Sequence, residues 1–223
     1  MNLPIAKAHA ARVLIVDDHE LVRRGLAEMI EREGDLTVCA EAADAPSAMA
    51  RIRETSPDLV LADITLRDGD GLELVKQIQA AHPKLRVLVV SMHDENLYAE
   101  RAIRAGALGF VSKSEPAQVI VQAMRSVLQG RVHVSKHLAD RLLQRMTAGM
   151  PSPEETPLDM LSDREMEVLS LLGEGLSTRD VAERLHLSTK TIHTYREHLK
   201  KKLGLNSASE LIRYAVARDI IGD

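Results

Sequence analysis

The stretch Arg12-Val13-Leu14-Ile15-Val16-Asp17-Asp18 decides the fold: a short β-branched run stops on two carboxylates and gives way at once to an amphipathic stretch near 19–32. Four more runs repeat this order. They are Thr37–Glu41, Leu59–Ala62, Val87–Ser91 and Gly109–Val111, and helical periodicity follows them near 45–54, 70–82, 95–105 and 115–129. Such alternation predicts an α/β, doubly wound, five-stranded parallel sheet over residues 12–129. The first, third and fourth runs are continuously apolar, as strands covered by helices on both faces must be.

A chain of 223 residues exceeds one average domain, and its pattern changes past Gly130. Residues 1–11 read as an N-terminal extension without the apolar core of a signal peptide. Residues 130–158 read as a linker with a helix at 136–146, and Pro151, Pro153 and Pro157 stand among acidic and polar residues near its end. Residues 159–223 read as an all-α, four-helix domain with caps at Ser162, Ser177, Ser188 and Ser207. No apolar run approaches the length of about 20 residues that spans a bilayer. A cytoplasmic protein without membrane contact is expected. The single Cys39 permits no intramolecular disulfide and reads as a small core residue. The net charge of −4 excludes a uniformly basic nucleic-acid binder, so the distribution of charge has to decide.

Residues just beyond the carboxyl ends of parallel strands converge on one rim. Here that rim would collect Asp17 and Asp18 after the first strand, Asp63 after the third, Ser91 at the end of the fourth and Lys113 beyond the fifth. Three crowded carboxylates repel unless a hard cation sits among them, which implies Mg²⁺ held by Asp18, Asp63 and the backbone carbonyl of Thr65, with Asp17 acting through a metal-bound water. The free oxygen of Asp63 could then attack a phosphoryl group, while Lys113 and the Ser91 hydroxyl contact the remaining phosphoryl oxygens. One Asp at a strand end is more often a solvated turn residue or a cap; five coordinated positions argue for chemistry. Asp68, Gly69 and Asp70, before the next helix, read as turn and cap residues.

Val16-Asp17-Asp18, Asp63, Ser91 and Lys113 together resemble the receiver domain of two-component response regulators, a flavodoxin-like fold, over residues 12 to about 129. The resemblance implies a sensor histidine kinase as phosphoryl donor, Asp63 as acceptor, and an aromatic switch residue three positions before the lysine. Phe110, the only Phe of the chain, occupies that position. In the implied switch Ser91 moves toward the phosphoryl group and Phe110 turns inward, altering the surface near the fourth helix and fifth strand. Phe110 also reads as a plain core aromatic. Arg67 and Ser114 stand where many receivers carry proline.

In the last domain, Leu185-His186-Leu187-Ser188 has the spacing of the turn in a helix-turn-helix. From His186 to Lys202 five cations face only Glu197, so this helix is basic within an acidic protein. His193, Thr194 and Glu197 fall on the face opposite Ile192 and Leu199, where base edges would lie; Lys190, Arg196, Lys200 and Lys201 would flank the groove and meet phosphates. Lys202 suits either role. The stretches Leu161-Ser162-Asp163-Arg164-Glu165, Leu187 to Arg196 and Lys202-Leu203-Gly204-Leu205 resemble the LuxR-type helix-turn-helix of NarL/FixJ response regulators. That resemblance implies a homodimer on paired half-sites of double-stranded promoter DNA, with the last helix, Ala208 to Val216, as dimer contact. Its Leu211, Ile212 and Ala215 could equally be core.

The expected function is a phosphorylation-dependent transcriptional regulator, with no enzymatic activity beyond Mg²⁺-dependent self-phosphorylation and self-dephosphorylation. A Mg²⁺-dependent phosphohydrolase is the first rival, but its usual signature needs a second Asp at position 65, where Thr65 stands. A receiver serving only as a dimerisation or ligand module is the second.

Overall fold

The chain forms two separate units, Met1–Leu138, where apolar runs of four to seven residues alternate with longer amphipathic stretches, and Ala139–Asp223, whose described elements are helices. The computed structural model describes residues 10–66, 69–93, 95–140, 157–158, 160–185 and 187–217.

In the first unit β1 (Ala11–Val16), β2 (Leu36–Ala42), β3 (Leu59–Ala62), β6 (Arg86–Ser91) and β7 (Gly109–Ser112) pair in parallel in the order β2-β1-β3-β6-β7. The five-stranded doubly wound sheet is therefore as the sequence implies, with its switch point between β1 and β3. The connecting helices are α1 (Glu20–Glu31), α2 (Ala45–Thr55), α3 (Gly71–Ala81), α4 (Glu95–Ala105) and α5 (Ala117–Leu128). Val13, Ile15, Leu59, Leu61, Leu88, Val90 and Val111 turn one sheet face toward Leu26 and Ile30 of α1 and Met124 and Val127 of α5. Leu14, Val16, Val60, Val89 and Phe110 point the other way and are equally buried. Burying both faces explains why these strands carry no polar alternation.

One local reading changes and another gains a pairing. Cys39 is half-buried rather than core, like Thr37, Val38 and Ala40 beside it on the edge strand β2, and the shift in pairing from Val13↔Val38 to Leu14↔Ala40 leaves it as the extra residue of a bulge. Gly69 and Asp70, read as turn and cap residues, also pair as β5 (Gly69–Asp70), antiparallel to β4 (Thr65–Leu66), through Thr65↔Asp70 and Leu66↔Gly69, with Asp70 directly before α3. Pairing satisfies backbone groups that a plain turn would leave to water. Asp68 and Arg67 lie outside the described residues.

The second unit contains α6 (Asp163–Gly173), α7 (Thr178–Arg184), α8 (Thr189–Leu203) and α9 (Ala208–Ala217). Ser162 and Ser177 each form a reciprocal capping box, with Glu165 and Asp180 respectively, and Ser188 accepts the Thr191 N–H. Ser207 caps the last helix by accepting the Glu210 N–H at 3.1 Å. Val168, Leu169, Leu172, Val181, Ile192, Leu199, Leu211 and Ala215 form one shared apolar core. Of the helix expected at 136–146, residues 136–140 are helical and the rest lie outside the described residues.

The loop after β3 is held by a close approach. The Gly71 N–H donates to the Ile64 carbonyl at 2.7 Å, and a Cβ on Gly71 would lie 2.1 Å from the Asp63 carbonyl oxygen and 2.4 Å from that of Ile64. Both atoms are backbone, so the clash has no flexible side chain to yield. Gly71→Ala is expected to destabilise the first unit by about 2–3 kcal/mol, as overpacking of a closed core does, which calorimetry will read as a lower Tm; an unchanged Tm contradicts the close approach.

Candidate functional sites

The rim at the carboxyl ends of the strands brings together Asp17, Asp18, Asp63, Ser91 and Lys113, the five groups singled out in the sequence. The Asp63 N–H donates to the Val16 carbonyl at 2.9 Å, tying the end of β3 to that of β1. The Lys113 N–H donates to the Ser91 carbonyl at 2.8 Å, tying β7 to β6 in the same way. Lys113 Nζ then lies 2.5 Å from Asp17 Oδ2 and 2.6 Å from Asp63 Oδ2, bridging both carboxylates. The other Asp63 oxygen accepts the Ile64 N–H at 2.7 Å. Asp17 accepts the His19 N–H at 2.8 Å, and its carbonyl accepts a guanidinium hydrogen of Arg23 at 2.7 Å. Ser91 is fully buried, and its hydroxyl oxygen accepts the His93 N–H at 3.3 Å.

Three carboxylates face one ammonium here, so the pocket keeps about two surplus negative charges. Burial pushes the Asp63 carboxyl above the ordinary value of 3.8; the Lys113 ammonium opposes that push and the Asp17 carboxylate adds to it. Burial also works against the charged Lys113, but attraction to Asp63 and Asp17 outweighs it and holds its pKa above the usual lysine value. One oxygen, nitrogen or carboxylate atom each from Asp17, Asp18, His19 and Asp63 lies within 4.8 Å of the others. A buried oxygen of Asp18 stands 2.7 Å from His19 Nδ1 without hydrogen-bond geometry. Spacing, surplus charge and hard oxygen donors make the cluster compatible with Mg²⁺, for which the imidazole is the least suited of the four groups.

Sequence reasoning missed His19, His93 and Gly71. His93 Nε2 and Thr65 Oγ1 are 2.5 Å apart, and the His93 ring lies against that of Tyr98 with centroids 4.8 Å apart. Only its position two residues past Ser91 hinted at the rim. Phe110 is buried at 2 % exposure.

In the second unit Lys190, His193, Thr194, Glu197 and Lys201 are exposed, opposite the buried Ile192 and Leu199 of α8. The Thr194 hydroxyl donates back to the Lys190 carbonyl at 3.2 Å. Arg196 is half-buried and its guanidinium donates to the Thr178 hydroxyl at the start of α7. Lys200 pairs with Glu197 at 2.8 Å, a bond that lowers the Glu197 pKa. Lys202, left open between base and phosphate, instead reaches Glu165 Oε2 at 2.6 Å and the Met160 carbonyl at 3.1 Å. Glu165, missed from the sequence as more than a cap residue, is buried and also accepts the Ser162 N–H. The open reading of α9 divides by residue: Leu211 and Ala215 are core, whereas Ile212 and Val216 are 41 % and 49 % exposed. His186 lies outside the described residues.

Because crowded, desolvated charge at the rim costs stability, Asp63→Asn is expected to raise the Tm of the first unit by a few degrees at pH 7 in chelator. Millimolar Mg²⁺ should stabilise the unaltered protein more than this variant; equal shifts in thermal denaturation would remove Asp63 from the cation site.

Residues 13–125 match the family described as the response regulator receiver domain, and residues 159–215 match the bacterial regulatory proteins of the luxR family. Over 216 residues the chain is 32% identical to the oxygen regulatory protein NreC of Staphylococcus aureus (strain JH9), covering 94% of this chain and 99% of that protein. Among solved structures it is similar to the response regulator ChrA of a heme-sensing two-component system, with 31% identity, TM-score 0.51 and coverage of 95% and 99% of the two chains. It is also similar to RcsB from Salmonella enterica serovar Typhimurium bound to promoter rprA in the presence of phosphomimetic BeF3⁻, with 26% identity, TM-score 0.58 and coverage of 93% and 98%. Among the described residues no helix is long and apolar enough to cross a membrane. With the acidic rim, the helix-turn-helix and both family matches in one order along the chain, the protein belongs to the response regulators of the NarL/FixJ family, transcriptional regulators in which a receiver domain precedes a LuxR-type DNA-binding domain.

Proposed function

We propose that Asp63 accepts a phosphoryl group from a sensor histidine kinase and that this event controls binding of the second unit to promoter DNA. The observation that carries the reading is Lys113 held between Asp17 and Asp63 at the sheet's switch point. Asp63 Oδ forms the bond to phosphorus while the bond between phosphorus and the donor's imidazole nitrogen breaks, and the leaving nitrogen takes up a proton. Lys113 is then within reach of a phosphoryl oxygen without leaving the rim, and the buried Ser91 hydroxyl offers a second donor from β6. Asp18, Asp63 and the Thr65 carbonyl, with Asp17 through water, would hold Mg²⁺. When bound, that ion supplies charge neutralisation for the phosphoryl oxygens. Self-phosphorylation and self-dephosphorylation at this rim are the only reactions assigned to the chain, and the protein acts in the cytoplasm.

Ser91 and Phe110 would carry the switch toward α4 and β7. For DNA, His193, Thr194 and Glu197 face the base edges. Lys190 and Lys201 contact phosphates. Arg196 and Lys200, each already engaged within the unit, orient the helix as well as adding charge. The active form is a homodimer, for which Ile212 and Val216 are the exposed apolar residues of α9. Residues 12–129 and 159–223 remain the two functional domains and 130–158 their connection.

Radiolabelled acetyl phosphate with Mg²⁺ is expected to label the protein and to leave Asp63→Asn unlabelled; persistent label on that variant defeats the acceptor assignment. For the second unit, Thr194→Ala is expected to change sequence preference in binding-site selection. Lys201→Ala should weaken all sequences alike and lower the salt slope by about 1. Lys200→Ala, by freeing the Glu197 carboxylate, should do both.

A further inference from the structure

The chain does not leave the first unit at the end of α5. The backbone turns at Gly130, where φ is +75°, and the Arg131 N–H donates to the Ser126 carbonyl at 3.0 Å. The segment then runs alongside β7: Gly109 and His133 form a parallel bridge, the His133 N–H donates to the Leu108 carbonyl at 2.9 Å, and the Phe110 N–H donates to the His133 carbonyl at 2.9 Å. Gly109 is what permits this approach, since a Cβ there would lie 2.7 Å from the His133 carbonyl oxygen and 2.9 Å from Leu88 Cδ1. Two residues on, the Ser135 N–H donates to Glu95 Oε1 at the start of α4 at 2.9 Å. The Ser135 hydroxyl oxygen accepts the Leu138 N–H at 3.2 Å, and Leu138 is buried.

The anchors at Phe110 and Glu95 belong to elements that also serve the acidic rim. Phe110 precedes Lys113 on the same strand, and Glu95 opens the helix that follows Ser91 and His93. Lys113 and Ser91 are joined by the backbone hydrogen bond between β7 and β6. Phosphorylation replaces the single charge of the Asp63 carboxylate by the roughly two charges of an acyl phosphate, so about one negative charge is added beside the Lys113 ammonium. Lys113 and Ser91 must re-aim toward the new oxygens, and the ends of β6 and β7 move with them. Four hydrogen bonds and one buried leucine hold the segment, which makes it an element of low local stability that a small displacement opens.

We infer that residues 131–138 form a latch on the β7 edge and the α4 N-terminus, docked while Lys113 bridges Asp17 and Asp63 and released when Asp63 is phosphorylated. This rests on the acceptor reading of Asp63. Release adds eight residues to the connection between the units, about 26 Å of further reach when extended. The output of the receiver is thus a change in tether length as well as in surface shape.

Amide hydrogen exchange on the full chain, with Mg²⁺ and acetyl phosphate present or absent, tests the latch, and intact mass reports labelling of Asp63 separately. In labelled protein the amides of His133 and Ser135 are expected to exchange roughly tenfold faster or more, with no change in Asp63→Asn. Unchanged or slower exchange in fully labelled protein overturns the latch, whereas failure to label overturns the acceptor reading instead. Glu95→Ala, which removes the Ser135 anchor and leaves the rim untouched, is expected to speed exchange at both amides without phosphorylation. Exchange as slow as in the unaltered protein would also overturn the inference.

Discussion

The ammonium of Lys113, shared between Asp17 and Asp63, is the contact on which the rest of the first unit is organised. Asp17 and Asp63 come from neighbouring strands at the switch point, so sheet order alone sets them side by side. Lys113 comes from the edge strand and reaches them past β6, which requires the strand ends to stay in register through the Lys113–Ser91 and Asp63–Val16 backbone hydrogen bonds. Desolvation taxes all three charges, and the apolar sheet beneath them supplies the stability that keeps them together. The surplus negative charge is a property of the fold as much as of the side chains.

The second unit distributes its charge differently. Its basic helix looks uniformly cationic in sequence, yet only Lys190 and Lys201 are exposed without a described side-chain partner. Lys200 is paired within the helix, Lys202 is bound to Glu165, and Arg196 donates to Thr178 at the start of α7. A helix that must enter a groove at one angle needs such internal bonds, because they fix its orientation before any phosphate is met.

Much of this was legible beforehand, and the boundary of legibility has a physical cause. Strands buried on both faces and helices with one apolar stripe announce themselves through period and length, so β3 and α4 fall where the sequence puts them and the other elements differ by one or two residues. The rim was legible because strand ends in this topology have a common destination. The β4–β5 hairpin was not, being two residues per strand with no period to detect. Gly71 was opaque because its role is the absence of a Cβ against backbone 7 residues away. The Lys202–Glu165 pair spans 37 residues, and no local pattern encodes it. One signal was present and unread: Val132 and Val134 alternate with Arg131 and His133, the pattern of a short strand inside what composition marked as linker.

The bond from Lys202 to Glu165 and to the Met160 carbonyl has a mechanical side. Met160 and Ser162 lie just before α6, and Glu165 clasps the Ser162 N–H with the same oxygen that receives Lys202. The last turn of the basic helix is therefore fastened to the residues just before α6 through two charge-assisted links as well as through the apolar core. The fifteen-residue helix is thus tied at its C-terminal end to the segment just before α6, so the two can shift only together.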